Sequence, residues 1–307
     1  MPDNKKNLGQ LLSSSLPLTV ASLGRLFVIF LLTAVTLLVI FAVFWILALV
    51  LMRADNPQSS SALREAMRNP QIIVLGIFCI LGWVMLAFLS GIAAIKIIQS
   101  VDEQIPIGPI TAIQEAAGIF SAYLWASILV FIRLLFWFFP FLITIGYAVM
   151  QALRSLNRNS LDPSPFMGII ENLPIGVKVA FGIATVTMTI AGIVFMTLYA
   201  YSALSVVLDQ KRGIEALAYS KKMIKPNFWR FTGYWALLVI LFLIITAIGE
   251  FMGKLILLQM PSTLISALLK LFSHLFSFLT SSYFVSFSYL LYREFQKEKS
   301  SVVEEAK

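Results

Sequence analysis

Six long apolar stretches alternate with shorter polar connections along the chain. A helix that crosses the hydrocarbon core of a bilayer needs roughly 20 mostly apolar residues. Each of the six stretches is close to this length or exceeds it, so the pattern predicts six membrane-spanning helices. Their ranges are 26–52, 72–95, 119–153, 179–208, about 231–248 and about 271–292.

The composition agrees with this fold class. The chain is 59% hydrophobic and 12% charged, and its mean hydropathy is +0.90. A soluble domain holds about 45–50% apolar and about 25% charged residues. We therefore predict an all-α polytopic integral membrane protein that forms a single membrane domain over 1–307. It consists of an N-terminal segment 1–25, a six-span bundle 26–292 and a charged tail 293–307.

The net charge of +8 is interpreted as a topology signal rather than as a surface for nucleic acid. With six spans, both termini and the second and fourth connections share one side of the membrane. That side holds 14 of the 23 basic residues. Because short cytoplasmic segments are enriched in Lys and Arg, we expect both termini in the cytoplasm of a bacterial inner membrane. The 14 residues are Lys5, Lys6, Arg25, Lys96, Lys211, Arg212, Lys221, Lys222, Lys225, Arg230, Arg293, Lys297, Lys299 and Lys307.

The stretch LDQKRGIEALAYSKKMIKPNFWR, residues 208–230, concentrates six of these cations between two apolar runs. At 100° per residue its apolar and polar positions separate onto opposite faces, which predicts a basic amphipathic helix at the membrane surface. Asp209 is expected to cap the start of this helix, and Pro226 to end it. The apolar face holds Ala216, Leu217, Ser220, Met223 and Ile224; the polar face holds Lys211, Glu215, Lys221, Lys222 and Lys225.

Two interpretations of this basic helix stay open. It is either an anchor that only fixes topology or a site that binds an anionic lipid headgroup or a partner. In both cases Leu217, Met223 and Ile224 are expected to hold the helix in the lipid. The spacing of Lys211 and Glu215 predicts an ion pair along the helix. The headgroup candidates are Lys211, Arg212, Lys221, Lys222, Lys225 and Arg230.

The same stretch resembles an earlier part of the chain. At an offset of 104 residues, 107–127 aligns with 211–231, and Ala112 then matches Ala216 while Trp125 matches Trp229. A fainter copy is 8–27. The repeated unit would be a surface helix followed by two spans. Because such a unit crosses the membrane twice, its copies are parallel and all surface helices lie on the cytoplasmic face.

The motif in 208–230 also resembles a bacterial superfamily of six-span membrane domains. Some members are fused to glycerophosphoryl diester phosphodiesterases, and others stand alone without a defined function. The resemblance implies a bacterial inner-membrane protein of that type, without the phosphodiesterase activity, because no soluble segment is long enough for the catalytic barrel. The matching residues are Asp209, Gly213, Glu215, Ala216, Leu217, Ser220 and Trp229.

The sequence shows no motif typical of catalysis, of cofactor binding or of a metal site. His274 and Cys79 are the only residues of their types and lie in different spans, whereas a metal site needs several ligands. Arg133 has two alternative placements. It is an interface anchor if the third span begins after it, which we favour, and a charge facing the bundle interior if the span begins near Trp125.

We therefore predict a non-enzymatic membrane protein without cofactor or metal. Its expected role is in membrane organisation, lipid interaction or the support of partner membrane proteins. The expected partners are anionic phospholipids and other membrane proteins. The alternative is a transporter of a small or lipid-like solute, which would be favoured by an open polar cavity between spans.

Overall fold

The computed structural model describes residues 6–52, 70–156, 175–259 and 263–305, and within these ranges the chain is helical without a strand. Lys5 and Lys307 of the predicted cytoplasmic set lie outside the described residues. A 3₁₀ turn, Lys225–Asn227, joins α6 to α7. The helices are α1 (Leu8–Met52), α2 (Pro70–Asp102), α3 (Pro109–Leu156), α4 (Ile175–Tyr199), α5 (Ser202–Asp209), α6 (Gly213–Ile224), α7 (Phe228–Gln259) and α8 (Thr263–Glu305).

The described ranges contain six helical segments that are long and apolar enough to cross a membrane, which confirms the prediction of an all-α, multi-pass membrane protein. Each of them overlaps one of the six apolar stretches. They are Leu8–Ala48, Pro70–Asp102, Pro109–Phe139, Gly182–Asp209, Gly213–Gly249 and Phe272–Glu298.

The chain divides into two compact units. The first unit comprises Met1–Leu124, Val207–Asp209 and Tyr234–Lys307, and the second comprises Trp125–Val206 and Gln210–Gly233. In the first unit, α1 and α2 form an antiparallel pair in which the side chain of Phe44 approaches Gly76. Both helices also pack against α8.

Burial in the first unit is concentrated at one end of the helices. The last turns of α2 and the middle of α8 meet the first half of α1 there, and Ile92, Ile98 and Phe287 are fully buried. The polar side chains of Ser15 and Ser22 are buried with them. Farther along, the apolar side chains are exposed, and Leu38 is 69% accessible. This distribution is expected where lipid rather than protein covers the apolar surface.

The second unit packs α6 against α4. Its buried side chains lie mainly between the end of α4 and the start of α7, and include Leu204, Leu217 and Ile224. The ring of Tyr201 meets that of Phe231 edge-on at a centroid distance of 5.1 Å. The turn between α4 and α5 is thereby held against the first residues of α7.

Two helix boundaries differ from the sequence prediction. The segments 8–27 and 107–127 are not separate surface helices, because α1 begins at Leu8 and α3 at Pro109, and each continues unbroken into its apolar stretch. The fourth apolar stretch is conversely interrupted, since α4 ends at Tyr199 and α5 starts at Ser202. The local apolar pattern predicts neither the continuous α1 and α3 nor the break between α4 and α5. The break is stabilised by hydrogen bonds with Ser220 of α6.

Candidate functional site

Helix α6 is held by its small and apolar face, as the spacing predicted. Gly213, Ala216, Leu217, Ser220, Met223 and Ile224 are all buried. The hydroxyl of Ser220 donates a hydrogen bond to the carbonyl of Leu198 at 2.9 Å and accepts one from the backbone N–H of Tyr201 at 3.2 Å. These two backbone groups flank the break between α4 and α5. Ser220 therefore satisfies groups that an uninterrupted helix would have paired itself.

The apolar face of α6 is consequently unavailable to lipid. Leu217 and Ile224 are fully buried and Met223 is 2% exposed, so protein atoms cover all three side chains. The expectation that these three side chains anchor the helix in the membrane is wrong. A period of 3.6 residues identifies the side of a helix that is buried, but it does not distinguish protein from lipid as the covering material.

The start of α6 is fixed by backbone conformation rather than by Asp209. The residue at the N-cap position is Arg212, and no side chain caps the helix. The predicted cap by Asp209 is therefore wrong. Gln210 and Gly213 adopt left-handed conformations with φ values of 54° and 50°. A Cβ added at Gly213 would lie 3.2 Å from the indole of Trp125, so only glycine fits without displacement.

The opposite side of α6 and the residues at its two ends present four exposed cations, which we call the basic face: Arg212, Lys221, Lys222 and Lys225. Within the described residues, none of these four side chains forms a hydrogen bond or an ion pair. Since the buried side of the helix is packed, the backbone that carries the basic face is positioned before any ligand binds. The charges are thus accessible, and the backbone that carries them is preorganised.

The other two headgroup candidates already interact with the protein. Nζ of Lys211 lies 2.6 Å from a carboxylate oxygen of Glu215, which confirms the predicted pair, and 6.0 Å from the ring centroid of Tyr219. Arg230 is partly buried and also has a protein contact. Trp229, next to it, is 83% exposed, as expected for an aromatic residue at a membrane interface.

Arg133 contacts a protein partner inside the second unit. Its guanidinium Nη1 donates to the hydroxyl of Tyr199 at 2.9 Å, and its Cζ lies 5.4 Å from the centroid of the same ring. Arg133 is partly buried, and Tyr199 is 7% exposed. The guanidinium of Arg133 on α3 therefore binds the last residue of α4 and does not only face the exterior of α3.

A second polar group lies in the first unit at the end of α8. Tyr289 donates to the carboxylate of Asp102 at 2.8 Å, and the hydroxyl of Tyr292 donates to the carboxylate of Asp209. Gln296 donates to the other oxygen of Asp209 at 2.9 Å. We call these five residues the tyrosine–carboxylate cluster. Beside it, the guanidinium of Arg293 is 3.0 Å from Glu103.

The two aspartates of this cluster occupy unfavourable positions within their own helices. Asp102 is the last residue of α2, and Asp209 is the last residue of α5. The negative end of a helix dipole disfavours a carboxylate there by roughly 0.3–1 kcal/mol. The hydroxyl donors from α8 offset this cost, since a hydrogen bond to a charged group contributes about 1.5–3 kcal/mol. The cluster therefore ties the ends of two helices to α8.

Sequence reasoning did not find the partners in this cluster. Tyr289, Tyr292 and Gln296 follow each other at intervals of three and four residues, which places them on one face of α8. This polar stripe at the end of an apolar helix was the available signal. Within the described residues, no group of three or more His, Cys, Asp or Glu side chains is placed to hold a metal ion.

Comparison with known proteins adds no relative: no protein-family model, no curated protein and no solved structure matches the chain. The resemblance of 208–230 to the six-span bacterial superfamily remains a prediction from its motif.

Proposed function

We propose that this protein is a non-enzymatic component of the bacterial inner membrane that binds anionic phospholipid headgroups through the basic face of α6. The observation that carries the proposal is the set of four exposed cations, two on α6 and one at each of its ends, beside a helix face that is packed in protein. Each cation near an anionic surface contributes about 1 kcal/mol. Binding of this kind fits a role in organising lipid or in supporting partner membrane proteins.

The character of the described cavities favours lipid interaction over transport of a polar solute. Two cavities of the first unit, of about 330 and 340 Å³, are lined almost wholly by apolar side chains. A polar solute would need hydrogen-bonding groups along its path. The resemblance to the six-span superfamily is compatible with a protein of this kind, and it supplies no activity of its own.

We further propose that the chain contains a parallel internal repeat. Burial agrees at the aligned positions: Ala112 and Ala216 are both fully buried, whereas Ile110 and Ile214 are 68% and 66% exposed. The segments before them also correspond. Asp102 and Asp209 each end a helix, and a glutamine in a left-handed conformation follows, two residues later at Gln104 and one residue later at Gln210, with φ values of 58° and 54°. The shared burial pattern and the similar helix ends support a common origin.

The proposed topology places both termini in the cytoplasm. The backbone N–H of Lys6 donates to Glu294 at 3.0 Å, so the N-terminal segment and the end of α8 meet at one end of the first unit. Side assignment follows from the positive-inside rule. Reporter fusions after Lys225 and at the C-terminus should give cytoplasmic signals, and fusions near Ser60 and Ser160 external ones. An external C-terminus would contradict both the six-span count and the parallel repeat.

The lipid proposal is tested with the variant Lys221→Gln/Lys222→Gln/Lys225→Gln. Native mass spectrometry after reconstitution and mild detergent extraction counts the retained phosphatidylglycerol and cardiolipin. We expect the variant to retain less of both lipids, with a loss of at most about 3 kcal/mol in binding free energy that shrinks at high salt. Insertion should be unchanged, because Lys6, Arg230 and the C-terminal tail preserve the charge bias.

A matched control is the variant Lys178→Gln/Lys270→Gln. Both lysines are exposed and belong to the side predicted to be external. Their removal should leave retention of anionic lipid as in the wild type. Equal retention by the wild type and the α6 variant would refute the headgroup site and leave the basic face as a topological anchor only.

A further inference from the structure

Arg25 of α1 is a cation that is enclosed by protein without a partner. Its guanidinium Nη1 is buried and has no hydrogen-bond acceptor among the described residues. The same part of the chain offers Arg25 no ion pair and no ring contact. The buried hydroxyls nearby are paired, since Thr19 donates to the carbonyl of Ser15 and Ser22 to that of Thr19. A buried charge without a counter-charge strongly destabilises a fold, so Arg25 is a candidate for binding an anion from outside the chain.

Lys96 of α2 lies at the same level of the first unit as Arg25. The two helices are antiparallel, and a Cβ added at Gly82 of α2 would lie 3.9 Å from the side chain of Ile40 of α1. From this contact, Arg25 is 15 residues back along α1 and Lys96 is 14 residues forward along α2. At 1.5 Å per residue these separations are about 22 and 21 Å. The two cations therefore agree in height to within about one helical turn.

Both side chains also start from the packed side of their helix. At about 100° per residue, Arg25 lies about 60° from Ile40 around α1, and Lys96 about 40° from Gly82 around α2. Each cation also has a buried residue one turn before and one turn after it: Ser22 and Ile29 for Arg25, Ile92 and Ser100 for Lys96. Height and direction together place both cations on the side where α1 and α2 meet.

The charge at this level is not balanced by the described part of the chain. Lys96 has a carboxylate neighbour, Glu115 of α3, but the two groups are 3.8 Å apart, which is longer than a hydrogen bond. The side chain of Lys96 is 19% exposed and that of Glu115 is 45% exposed. Two cations and one carboxylate leave a net positive charge. Arg25 as a residue is only partly buried, so a ligand can approach it from the surface.

The position of the two cations along the chain selects a phosphate group as the anion. Arg25 directly precedes the apolar stretch 26–52, and Lys96 directly follows the stretch 72–95. In helices that cross a bilayer, these boundaries lie at the level of the lipid headgroups, just outside the hydrocarbon core. The guanidinium of an arginine binds phosphate oxygens through two parallel hydrogen bonds, and a lysine adds a point charge.

We propose that Arg25 and Lys96 form a site for a phosphate group where α1 and α2 meet. The proposal goes beyond the headgroup site on α6 and does not rest on it, because the two sites belong to different units. The basic face of α6 selects a lipid by its net negative charge. The site at Arg25 recognises the phosphate itself, so it should accept a zwitterionic phospholipid as well as an anionic one.

The test measures the Tm of the delipidated full-length protein in neutral detergent with three probes. They are a short-chain phosphatidylcholine, the diacylglycerol with the same chains, and inorganic phosphate at matched ionic strength. Phosphatidylcholine should raise the Tm of the wild type by about 2–4 °C at roughly tenfold excess over its Kd, whereas diacylglycerol should not. A rise with inorganic phosphate and not with phosphatidylcholine would support the phosphate site and assign it to the free anion.

Arg25→Met gives the sharpest prediction, because its effect should change sign with the ligand. Without a probe, this variant should melt above the wild type, since it removes the unpaired buried cation and keeps an unbranched side chain. With phosphatidylcholine its Tm should not rise further. An arginine that only supports the fold would instead lower the Tm when it is replaced. Lys96→Gln should reduce the rise with phosphatidylcholine, because it removes the second cation.

The matched control is Lys270→Met, which removes an exposed lysine of α8 and should leave both the Tm and its rise unchanged. A lower Tm of Arg25→Met without a probe, or equal rises in this variant and the wild type, would overturn the site. Equal rises with phosphatidylcholine and diacylglycerol, or no rise with either phosphate probe, would do the same. The triple Lys→Gln variant of α6 should keep the rise with phosphatidylcholine, so a failure of the headgroup site and a failure of this site are distinguished.

Discussion

Helix α6 and the end of α8 both carry polar side chains beside apolar helices, but they use these side chains differently. On α6, the basic face consists of four exposed cations that make no hydrogen bond or ion pair within the described residues. At the end of α8, Tyr289, Tyr292 and Gln296 all donate hydrogen bonds to carboxylates of other helices. Exposed charges are available to a ligand from outside, whereas paired polar groups fix the positions of helices.

The difference shows which polar residues of a membrane protein are candidates for binding. Burying a polar group without a partner costs about 1–3 kcal/mol, so polar side chains at helix contacts are paired. A cation that stays unpaired on a fixed helix keeps its full interaction for an external anion. Helix α6 combines both properties on its two sides, since buried Ser220 is paired, whereas exposed Lys221 and Lys222 have no partner among the described residues.

The largest loss of unfolding free energy is expected at Gly213, which fixes the start of α6. Gly213→Ala should lower the free energy of unfolding by about 2–3 kcal/mol, since a left-handed conformation disfavours alanine and the new Cβ crowds Trp125. Gly118→Ala is the control, because it lies inside α3 where an added Cβ meets nothing within 4 Å. It should stabilise the protein by up to about 1 kcal/mol. Unfolding by a denaturing detergent measures both, and equal effects would contradict a fixed start of α6.

The tyrosine–carboxylate cluster should give the next largest effect. Tyr292→Phe removes the donor to Asp209, and we expect a loss of about 2 kcal/mol in unfolding free energy. A double-mutant cycle with Asp209→Ala isolates the pair, and the interaction energy should be about 1–2 kcal/mol. Additive single effects would show that α8 does not hold α5 through this contact. Retention of anionic lipid should be unchanged in each variant, in contrast to the lysine variant of α6.

The sequence alone predicts those features of the two regions that depend on the spacing of neighbouring residues. The six apolar stretches predict the six membrane-spanning segments, and the period of 3.6 residues identifies Ala216, Leu217 and Ser220 as one face. Asp209 was assigned to the nearest helix start, although its partners, Tyr292 and Gln296, lie more than 80 residues away. Pairing over such distances leaves no periodic signal in one sequence.

The local pattern also could not show whether protein or lipid covers an apolar face. Leu217, Met223 and Ile224 have the spacing of a face that inserts into lipid, and they instead pack within the second unit. Amphipathic helices at a membrane surface and at a protein surface share the same period. The placement of Arg133 was also ambiguous from the sequence, because its partner Tyr199 is 66 residues away.

A smaller effect is expected at Arg133. Lysine can keep the charge and one hydrogen bond. It lacks the planar guanidinium of Arg133, which donates to the hydroxyl of Tyr199 and at the same time lies near the face of its ring. Arg133→Lys should therefore preserve expression and insertion and lower the unfolding free energy by about 1 kcal/mol. Tyr199→Phe is the companion variant, since it retains the ring and removes the hydroxyl. Normal stability of both variants would show that this remote pair does not support α4.

The smallest effect is expected for the pair of Lys211 and Glu215, which is the local counterpart of the remote contacts. The two groups lie 2.6 Å apart, but their side chains are 35% and 62% exposed. Exposed pairs at this helical spacing contribute about 0.3–0.5 kcal/mol because water and salt screen them. A double-mutant cycle with Lys211→Gln and Glu215→Gln should give an interaction energy in this range at low salt and close to zero at high salt. An interaction as large as that of Tyr292 and Asp209 would remove the contrast between the two regions. In that case the start of α6 would be held by its exposed side as well as by its buried one.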